Sequence, residues 1–339
     1  MNRKKFVKGL VLVLVLVLVC LLPMIVRNDY WIHVMVLISI MILVTASLRA
    51  IFRTGEICIG VSGFMLLGGY SSALLTKDLG LSFWITMPLG GLFAAAIGAA
   101  VGYPFFRVKG IYFAISTLLL AFVFLYLAGY MKDLTGGWQG LVFSFWPNPI
   151  TIPGIITLTF DTDTSYYYLA IIIVGFCLFV LYRMERARVG LVWGSIREAD
   201  NLAQSVGVNL MAQKIFIFVV ACFFCGIAGG LYAFYVHALS PTTTPANIFS
   251  FFTSVYCILY MVVGGEGSFF GPIIGTTLFM LIPEFSRRLQ MYRPIIYGAL
   301  LIIIIFFMPE GLIRIGDYIT TWHRKILGRF QRTAPSHGR

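Results

Sequence analysis

The cysteine pair Cys222-Phe-Phe-Cys225 has the C-x-x-C spacing of redox-active or metal-binding thiols. Such a motif is convincing beside turns that expose its sulfur atoms, whereas this pair lies within a continuous apolar run. A cysteine in apolar surroundings behaves as a small packing residue. We therefore predict packing, and neither redox chemistry nor a metal site, for all the cysteines: Cys20, Cys58, Cys177, Cys222, Cys225 and Cys257.

Catalysis by acids, bases or nucleophiles needs polar groups that converge on one point, and the sequence offers few of them. Two histidines lie in the C-terminal tail and two at the edges of apolar runs: His323, His337, His33 and His237. Glu56, Glu266 and Glu284 likewise flank apolar runs. No H-E-x-x-H motif, G-x-S-x-G motif or P-loop occurs. The sequence predicts a protein without cofactor or catalytic site, which does not hydrolyse ATP itself.

The elements around these residues are membrane helices. Of the 339 residues, 60% are hydrophobic and 11% charged, against about 25% charged in a soluble domain. The apolar runs are about 17–25 residues long, as membrane helices require. They predict an all-α polytopic protein of about ten spans, or eight if 57–76 and 269–284 only re-enter the membrane. The spans are 8–26, 31–51, 57–76, 83–106, 110–130, 166–183, 213–236, 248–264, 269–284 and 294–309.

The basic residues orient these spans. With a cytoplasmic amino terminus, only six of the 25 Lys and Arg residues fall outside: Arg27, Lys77, Lys132, Arg287, Arg288 and Arg293. The positive-inside rule therefore predicts that both termini are cytoplasmic. The net charge of +12 is explained by this asymmetry and does not indicate nucleic acid. Residues 1–26 resemble a signal peptide but lack a small-residue cleavage site, so we expect an uncleaved first span.

We expect one transmembrane domain over residues 1–311. It carries a periplasmic loop at 131–165, whose glycine and proline content indicates turns, and a cytoplasmic loop at 184–212. The basic tail 312–339 is expected to be cytoplasmic and partly disordered.

The loop 184–212 belongs to a polar island, Arg183–Lys214, between long apolar runs. Ser195-Ile-Arg-Glu198 has the form of a capping box, which predicts that a helix starts at Ser195. Apolar residues then follow at helical spacing: Ala199, Leu202, Ala203 and Val206. Gly207 stands where a helix stop is expected. A short capped amphipathic helix of this kind either docks onto a partner or lies on lipid headgroups.

The scarcity of carboxylates in the spans favours docking. Ion-coupled carriers keep carboxylates inside the membrane, and this sequence has almost none there. The energy for active transport would then come from a partner. Glycines cluster in both halves of the chain, which indicates close helix packing and is a weak sign of an internally duplicated transporter. Two pairs have G-x-x-x-G spacing, Gly98 with Gly102 and Gly226 with Gly230.

The sequence resembles the LivM-like permease subunits of branched-chain amino-acid ABC importers. Their loop motif R-x-G-x-x-x-x-A-I-R-E-x-x-x-A-A-x-x-x-G-I-N is matched by Arg188, Gly190, Ile196, Arg197, Glu198, Ala203, Gly207, Val208 and Asn209. Leu202 departs from it and enlarges the side chain presented to a partner. Four further segments resemble family motifs in the same order: Gly60–Tyr70, Arg107–Leu118, Leu134–Leu141 and Gly264–Gly275. The closing P-x-G-L is matched at Pro309–Leu312.

The resemblance implies a helical bundle like that of type II ABC importers. It also implies cytoplasmic ATPase subunits, a LivH-like sister permease in a heterodimer, and a periplasmic or lipid-anchored substrate-binding protein. Branched-chain amino acids are the expected substrate. Relatives of the wider family carry urea or short amides, and Val61 replaces the family's usual histidine, so this alternative stays open. A passive channel for a small solute is the second alternative.

Three sets of site residues follow. The docking helix is expected to contact the ATPase through Ser195, Arg197, Glu198, Ala199, Leu202, Ala203, Val206 and Gly207. Small polar positions either line the translocation path or pack helices: Ser62, Gly63, Ser71, Ser116, Thr117 and Thr276. The outer loop either receives the binding protein or simply turns at Thr135, Gly136, Gly137 and Gln139.

Overall fold

The computed structural model describes residues 28–152, 156–158, 160, 162–244 and 247–285, and isolated positions at 23, 295, 298, 299 and 302. The predicted first span 8–26, most of the predicted last span 294–309 and the tail 312–339 lie outside the described residues. Cys20 lies outside them as well.

Helices make up most of the described chain. They are α1 Asp29–Phe52, α2 Val61–Leu79, α3 Phe83–Phe105, α4 Ile111–Tyr130, α5 Lys132–Thr135, α6 Asp163–Arg186, α7 Arg188–Glu198, α8 Asp200–Ser205, α9 Leu210–Val236, α10 Phe251–Gly264 and α11 Gly271–Phe285. A 3₁₀ turn covers Gly137–Gln139. The short strands are β1 Leu141–Val142, β2 Ile150–Ile152, β3 Ile156–Leu158 and β4 Ala238–Leu239.

Five helices among the described residues are long and apolar enough to cross a membrane: α1, α3, α4, α6 and α9. The prediction of an all-α polytopic membrane protein is confirmed in this respect. The predicted span 57–76 corresponds to α2, which is not one of the five. α10 is a shorter apolar helix, and so is the part of α11 over Gly271–Ile282.

The chain divides into two compact units after Ser254. In the first unit α9 is the central helix, because α1, α2, α3 and α6 all pack against it. Its contacts with α2 are close enough to require glycine. A Cβ atom on Gly68 would overlap the backbone of Gly226, and one on Gly229 would overlap the carbonyl oxygen of Met65. The predicted packing role is confirmed for these glycines.

The long helices of this unit alternate in direction, so that their connections gather at two ends. We call the end that carries 53–60, 106–110 and 187–209 the polar end. At the opposite end, β1 pairs antiparallel with β4, with Leu141 opposite Leu239 and Val142 opposite Ala238. This ribbon fixes the loop after α4 to the chain that follows α9. The second ribbon pairs β2 with β3 in the same loop, which therefore contains more than turns.

The second unit contains most of α10 and all of α11. Glycines let α11 return closely along α10, since a Cβ atom on Gly275 would overlap the carbonyl oxygen of Tyr260. The rings of Tyr260 and Phe279 lie 5.9 Å apart across this contact. The glycines between Gly264 and Gly275 thus allow α10 and α11 to pack closely against each other.

Candidate functional site

The segment 184–212 folds as two short helices instead of the single helix predicted from Ser195 to Gly207. α7 ends at Glu198, and Ala199 has an extended backbone (φ −157°, ψ 91°) before α8 begins at Asp200. The predicted capping box is wrong. The Ser195 hydroxyl lies in the last turn of α7 and donates to the carbonyl of Val192 at 2.8 Å. The sequence signal that we missed is the helical spacing of Trp193 and Ile196, which indicates that the helix begins before Ser195.

Gly207 ends α8 as predicted. Its φ is 86°, its N–H donates to the carbonyl of Gln204, and the N–H of Val208 donates to that of Ala203. These two bonds form a Schellman motif, in which glycine accepts the left-handed backbone at least cost. The chain then turns into α9, which Asn209 caps by accepting from the N–H of Ala212 at 3.1 Å.

The apolar stripe predicted for docking is divided between two faces. Ala203 is buried and Ala199 is half-buried, whereas Leu202 and Val206 are exposed. Leu191 on α7 is exposed too. The side of the segment that carries Ala203 packs against the rest of the chain, while Leu202 and Val206 are exposed. Ser195 and Glu198 are exposed as well.

The inner side of α7 anchors the segment. Trp193 and Ile196 are buried, and the guanidinium of Arg197 stacks over the ring of Phe52 at 4.4 Å. Gly190 lies against the end of α6, where a Cβ atom would overlap the carbonyl oxygen of Glu185. The glycine lets α7 fold back sharply from α6.

An ion cluster at the polar end joins α8 to three other parts of the chain. The Nζ atom of Lys214, in α9, lies 3.0 Å from Glu56 Oε1 and 3.4 Å from Asp200 Oδ2. Asp200 Oδ2 also lies 3.1 Å from Lys109 Nζ. The second oxygen of Glu56 accepts from the N–H of Gly110 at 3.2 Å. Pairing in this way offsets the cost of burying Lys214 and Glu56.

A second ion pair fixes α1 to α6. The guanidinium of Arg49 donates to both carboxylate oxygens of Glu185, at 2.7 and 2.9 Å. Arg53 Nε lies 3.3 Å from Glu185 Oε1. Bidentate geometry of this kind is strong and directional. Neither the cluster nor this pair was predicted, although Glu56 was noted at the edge of an apolar run.

Beside α8 there is an open cleft of about 600 Å³. Its lining comes from α8, from the start of α9 and from the connection between α3 and α4: Phe106, Lys109, Asp200, Gln204, Gly207, Val208, Asn209, Leu210, Met211 and Lys214. The cleft lies along the side of α8 that carries Asp200 and Gln204.

Comparison of the sequence with known proteins shows the family of the chain. The family model for the branched-chain amino acid transport system permease component matches residues 30–305. The chain belongs to this permease family. The high-affinity branched-chain amino acid transport system permease protein LivM of Escherichia coli (strain K12) is 30% identical over 279 residues, covering 77% of this chain and 64% of the relative. LivM of Salmonella typhimurium is 29% identical with the same coverage.

A more distant relative is the probable branched-chain amino acid transport permease protein LivM of Methanocaldococcus jannaschii, 20% identical over 241 residues, which cover 66% of each chain. The permease spans 64% of the length of the two bacterial relatives. No solved structure was found to match it.

Three of the residues predicted for the translocation path have hydroxyls that bond within their own helix. Ser71, Ser116 and Thr117 donate to carbonyls three or four residues earlier, the helix-packing alternative. Thr117 also accepts from the N–H of Ile59 at 3.1 Å. Ser62 is buried and accepts from Ser254 at 2.9 Å. The path itself stays a prediction.

The two other residues predicted for the path, Gly63 and Thr276, lie in the packed interior of the described structure. Gly63 in α2 faces α4, where a Cβ atom would come within 2.8 Å of the Cα of Ala121. Thr276 is buried in α11, in the second unit.

The start of the loop 131–165 is held by its own hydrogen bonds. Thr135 is buried, and its hydroxyl donates to the carbonyls of Ala128 and Met131 and accepts from the N–H of Gly137. Gly136 and Gly137 have positive φ angles. Thr135 and Gly137 therefore lie inside the loop, and a partner would meet Gln139 together with its exposed neighbours, Leu134 and Trp138.

His237 is a feature of this end that the sequence did not single out. It follows α9 with φ 58°, and its ring centroid lies 4.5 Å from that of Trp146. Its Nε2 is buried without a hydrogen-bond partner among the described residues. Burial lowers the pKa of His237 below its usual 6.5, against smaller opposing effects of the Tyr235 backbone and Asp163.

No group of three or more His, Cys, Asp or Glu residues able to hold a metal ion occurs within the described ranges. The five described cysteines are buried: Cys58, Cys177, Cys222, Cys225 and Cys257. Their burial agrees with the packing role predicted for them.

Proposed function

We propose that this permease is the membrane subunit of an ATP-driven importer of branched-chain amino acids. The observation that carries the proposal is the exposure of three large apolar side chains on α7 and α8: Leu191, Leu202 and Val206. Such side chains on a short, firmly anchored segment suit a groove on a partner protein. The names of the relatives support transport of branched-chain amino acids.

The remaining expectations belong to this proposal. The chain forms one domain over 1–311 with about ten spans, and both termini lie in the cytoplasm, as does the tail 312–339. It resides in a bacterial inner membrane and pairs with a sister permease. A periplasmic or lipid-anchored binding protein delivers the substrate at the opposite end, where the loop 131–165 lies. ATP is hydrolysed on separate ATPase subunits.

The mechanism starts at the polar end. Binding of ATP closes the two ATPase subunits, and the groove that holds α7 and α8 moves with them. Because Trp193 and Ile196 anchor α7 inside the bundle, the movement passes to α6 and α9. Displacement of these helices opens or closes a path between the two permease chains.

Leu202 provides the sharpest test. Complete burial of a leucine side chain contributes about 1.5–3 kcal/mol. Leu202 is 70% exposed, so its burial in a groove contributes about 1–2 kcal/mol, or about five- to thirtyfold in affinity. Leu202→Glu adds the cost of burying a charge. Asn201→Glu is the matched control, because Asn201 is exposed on the same helix, away from the Leu202–Val206 face and outside the lining of the cleft.

The measurement is co-purification of the ATPase with the permease, together with ATP-dependent uptake of leucine into proteoliposomes. Leu202→Glu should lose the ATPase and the uptake, while Asn201→Glu should keep both. Equal retention of the ATPase by both variants would show that α8 is not a docking element.

Substrate choice is tested separately. In the complete importer, excess isoleucine or valine should suppress uptake of labelled leucine, whereas urea and acetamide should not. Suppression by urea or acetamide alone would favour the amide branch of the family. Leucine entry without ATP would point to a passive channel.

A further inference from the structure

Lys214 occupies an unusual position, because its ammonium group joins the docking segment to Glu56, in the connection between α1 and α2. It is 7% exposed and Glu56 is 6% exposed. Lys214 Nζ contacts Glu56 in the connection between α1 and α2, and Asp200 at the start of α8. Movement of α8 therefore reaches Lys214 directly.

Glu56 extends this link to α4. Its Oε1 atom binds Lys214, and its Oε2 atom accepts from the N–H of Gly110, which directly precedes α4. The connection between α1 and α2 also packs closely against α4 at Gly60, where a Cβ atom would overlap the carbonyl oxygen of Thr117. The starts of α2 and α4 are thus tied to one carboxylate.

Asp200 can change partners without leaving a buried charge unpaired. Its distance to Lys214 is 3.4 Å, longer than the 3.1 Å to Lys109. Lys109 is 68% exposed and can follow the carboxylate. If Asp200 moves away, Lys214 keeps Glu56 at 3.0 Å. Separation of a buried pair is costly when it leaves a charge alone, and this exchange avoids that cost.

The surroundings of Asp200 permit the movement. Ala199 before it has an extended backbone, so α8 is not continuous with α7. The cleft of about 600 Å³ lies between α8, Lys109 and Lys214. α8 can therefore shift relative to α9 while Leu202 and Val206 stay in contact with a partner.

We propose that Lys214 is a positioning residue that transmits movement of α8 to the starts of α2 and α4. In one arrangement Asp200 is bound to Lys214 and the three parts move together. In the other Asp200 is held by Lys109 alone, and Glu56 keeps Lys214. The inference rests on the proposed ATPase docking and adds the residues through which the docked segment acts.

The test uses the complete importer in proteoliposomes and measures leucine imported per ATP hydrolysed. Substitutions along such a link change coupling by about two- to thirtyfold. Asp200→Asn and Lys214→Met should lower the ratio by that factor while the ATPase still co-purifies, because the apolar face of α8 is intact. The double variant should lower it no further than the worse single variant, since both remove one link.

Thr86→Val is the control for loss of stability alone. Thr86 is buried in α3 at the opposite end, accepts from the Thr76 hydroxyl at 3.1 Å and contacts neither Lys214 nor α8. The variant should lower thermal stability and leave the ratio of leucine to ATP unchanged. Asp200→Asn retains a similar shape at a quarter-exposed position, so it remains informative if Lys214→Met does not fold.

A wild-type ratio in Asp200→Asn would overturn the inference. Loss of the ATPase from this variant would overturn it too, since Asp200 would then be a docking contact. Failure of the proposed function looks different: the unaltered permease itself would not retain an ATPase, or would import leucine without ATP.

Discussion

Replacement of Gly229 by alanine tests the packing of α9 against α2 with a single methyl group. The added Cβ atom would overlap the carbonyl oxygen of Met65 and lie 2.8 Å from the backbone nitrogen of Gly69. Ordinary contacts of a Cβ atom begin at 3.4 Å. The Gly69 nitrogen alone requires the two helix backbones to separate by about 0.6 Å, and the overlapping Met65 oxygen requires more, which loosens contacts along their whole interface.

The expected cost follows from two opposing contributions. Overpacking costs about 1–3 kcal/mol, and backbone atoms cannot rotate away as a side chain can. Alanine regains about 0.5–1 kcal/mol relative to glycine in a helix. Because the overlap is with fixed backbone atoms, the overpacking cost lies near the upper end, at about 2–3 kcal/mol, and Gly229→Ala should lower the free energy of unfolding by about 1–2.5 kcal/mol. Gly175→Ala on α6 is the matched control, because no atom lies within 4 Å of its Cβ position, and it should be neutral or slightly stabilising.

The assay is unfolding of the purified permease in detergent micelles, by titration with a denaturing detergent and with tryptophan fluorescence as the signal. The midpoints of both variants are compared with that of the unaltered protein. If Gly229→Ala proves as stable as Gly175→Ala, α2 and α9 do not approach at this glycine and the reasoning fails.

Three further predictions concern the two ends of the bundle. Gly190→Ala should abolish uptake and expose the 184–212 segment to protease, because the methyl group overlaps the carbonyl of Glu185; Gly194→Ala, whose nearest neighbour is 3.6 Å away, should behave as the unaltered permease in both assays. Thr135→Val should lower stability by about 1–3 kcal/mol in thermal unfolding, since it removes the buried acceptor of a backbone N–H, whereas Thr135→Ser should not. His237 has a pKa below 6.5 in the folded state, so protonation favours the unfolded chain and stability should fall as the pH drops below about 6.5. His237→Asn tolerates the left-handed backbone and should reduce this fall; an unchanged pH profile of the melting temperature would contradict the prediction.

The sequence was sufficient for the features that local chemistry decides. Long apolar runs predict membrane helices because lipid offers the backbone no hydrogen-bond partners. Five described helices are long and apolar enough to cross a membrane, as these runs predict. The described cysteines are buried, as expected for packing residues. Gly207 was predicted to stop a helix and does so, because its left-handed backbone depends on its own side chain and a few neighbouring bonds.

The tertiary structure alone decided where α7 and α8 begin and which of their faces is free. Ser195-Ile-Arg-Glu198 fits a capping box by sequence, yet burial of Trp193 and Ile196 against the bundle extends α7 through it. Burial also divided the apolar stripe into an anchored Ala203 and an exposed Leu202, which residue type by itself does not reveal.

The ion cluster shows most clearly what the sequence leaves open. Lys214 and Glu56 are 158 residues apart, and each resembles an ordinary charged residue at the edge of a span. A charge is stable in the interior only when an opposite charge is placed within a few ångströms of it. The sequence therefore determined that membrane helices form, and the packing of those helices determined which charges meet, because pairing depends on distances that only the folded chain sets.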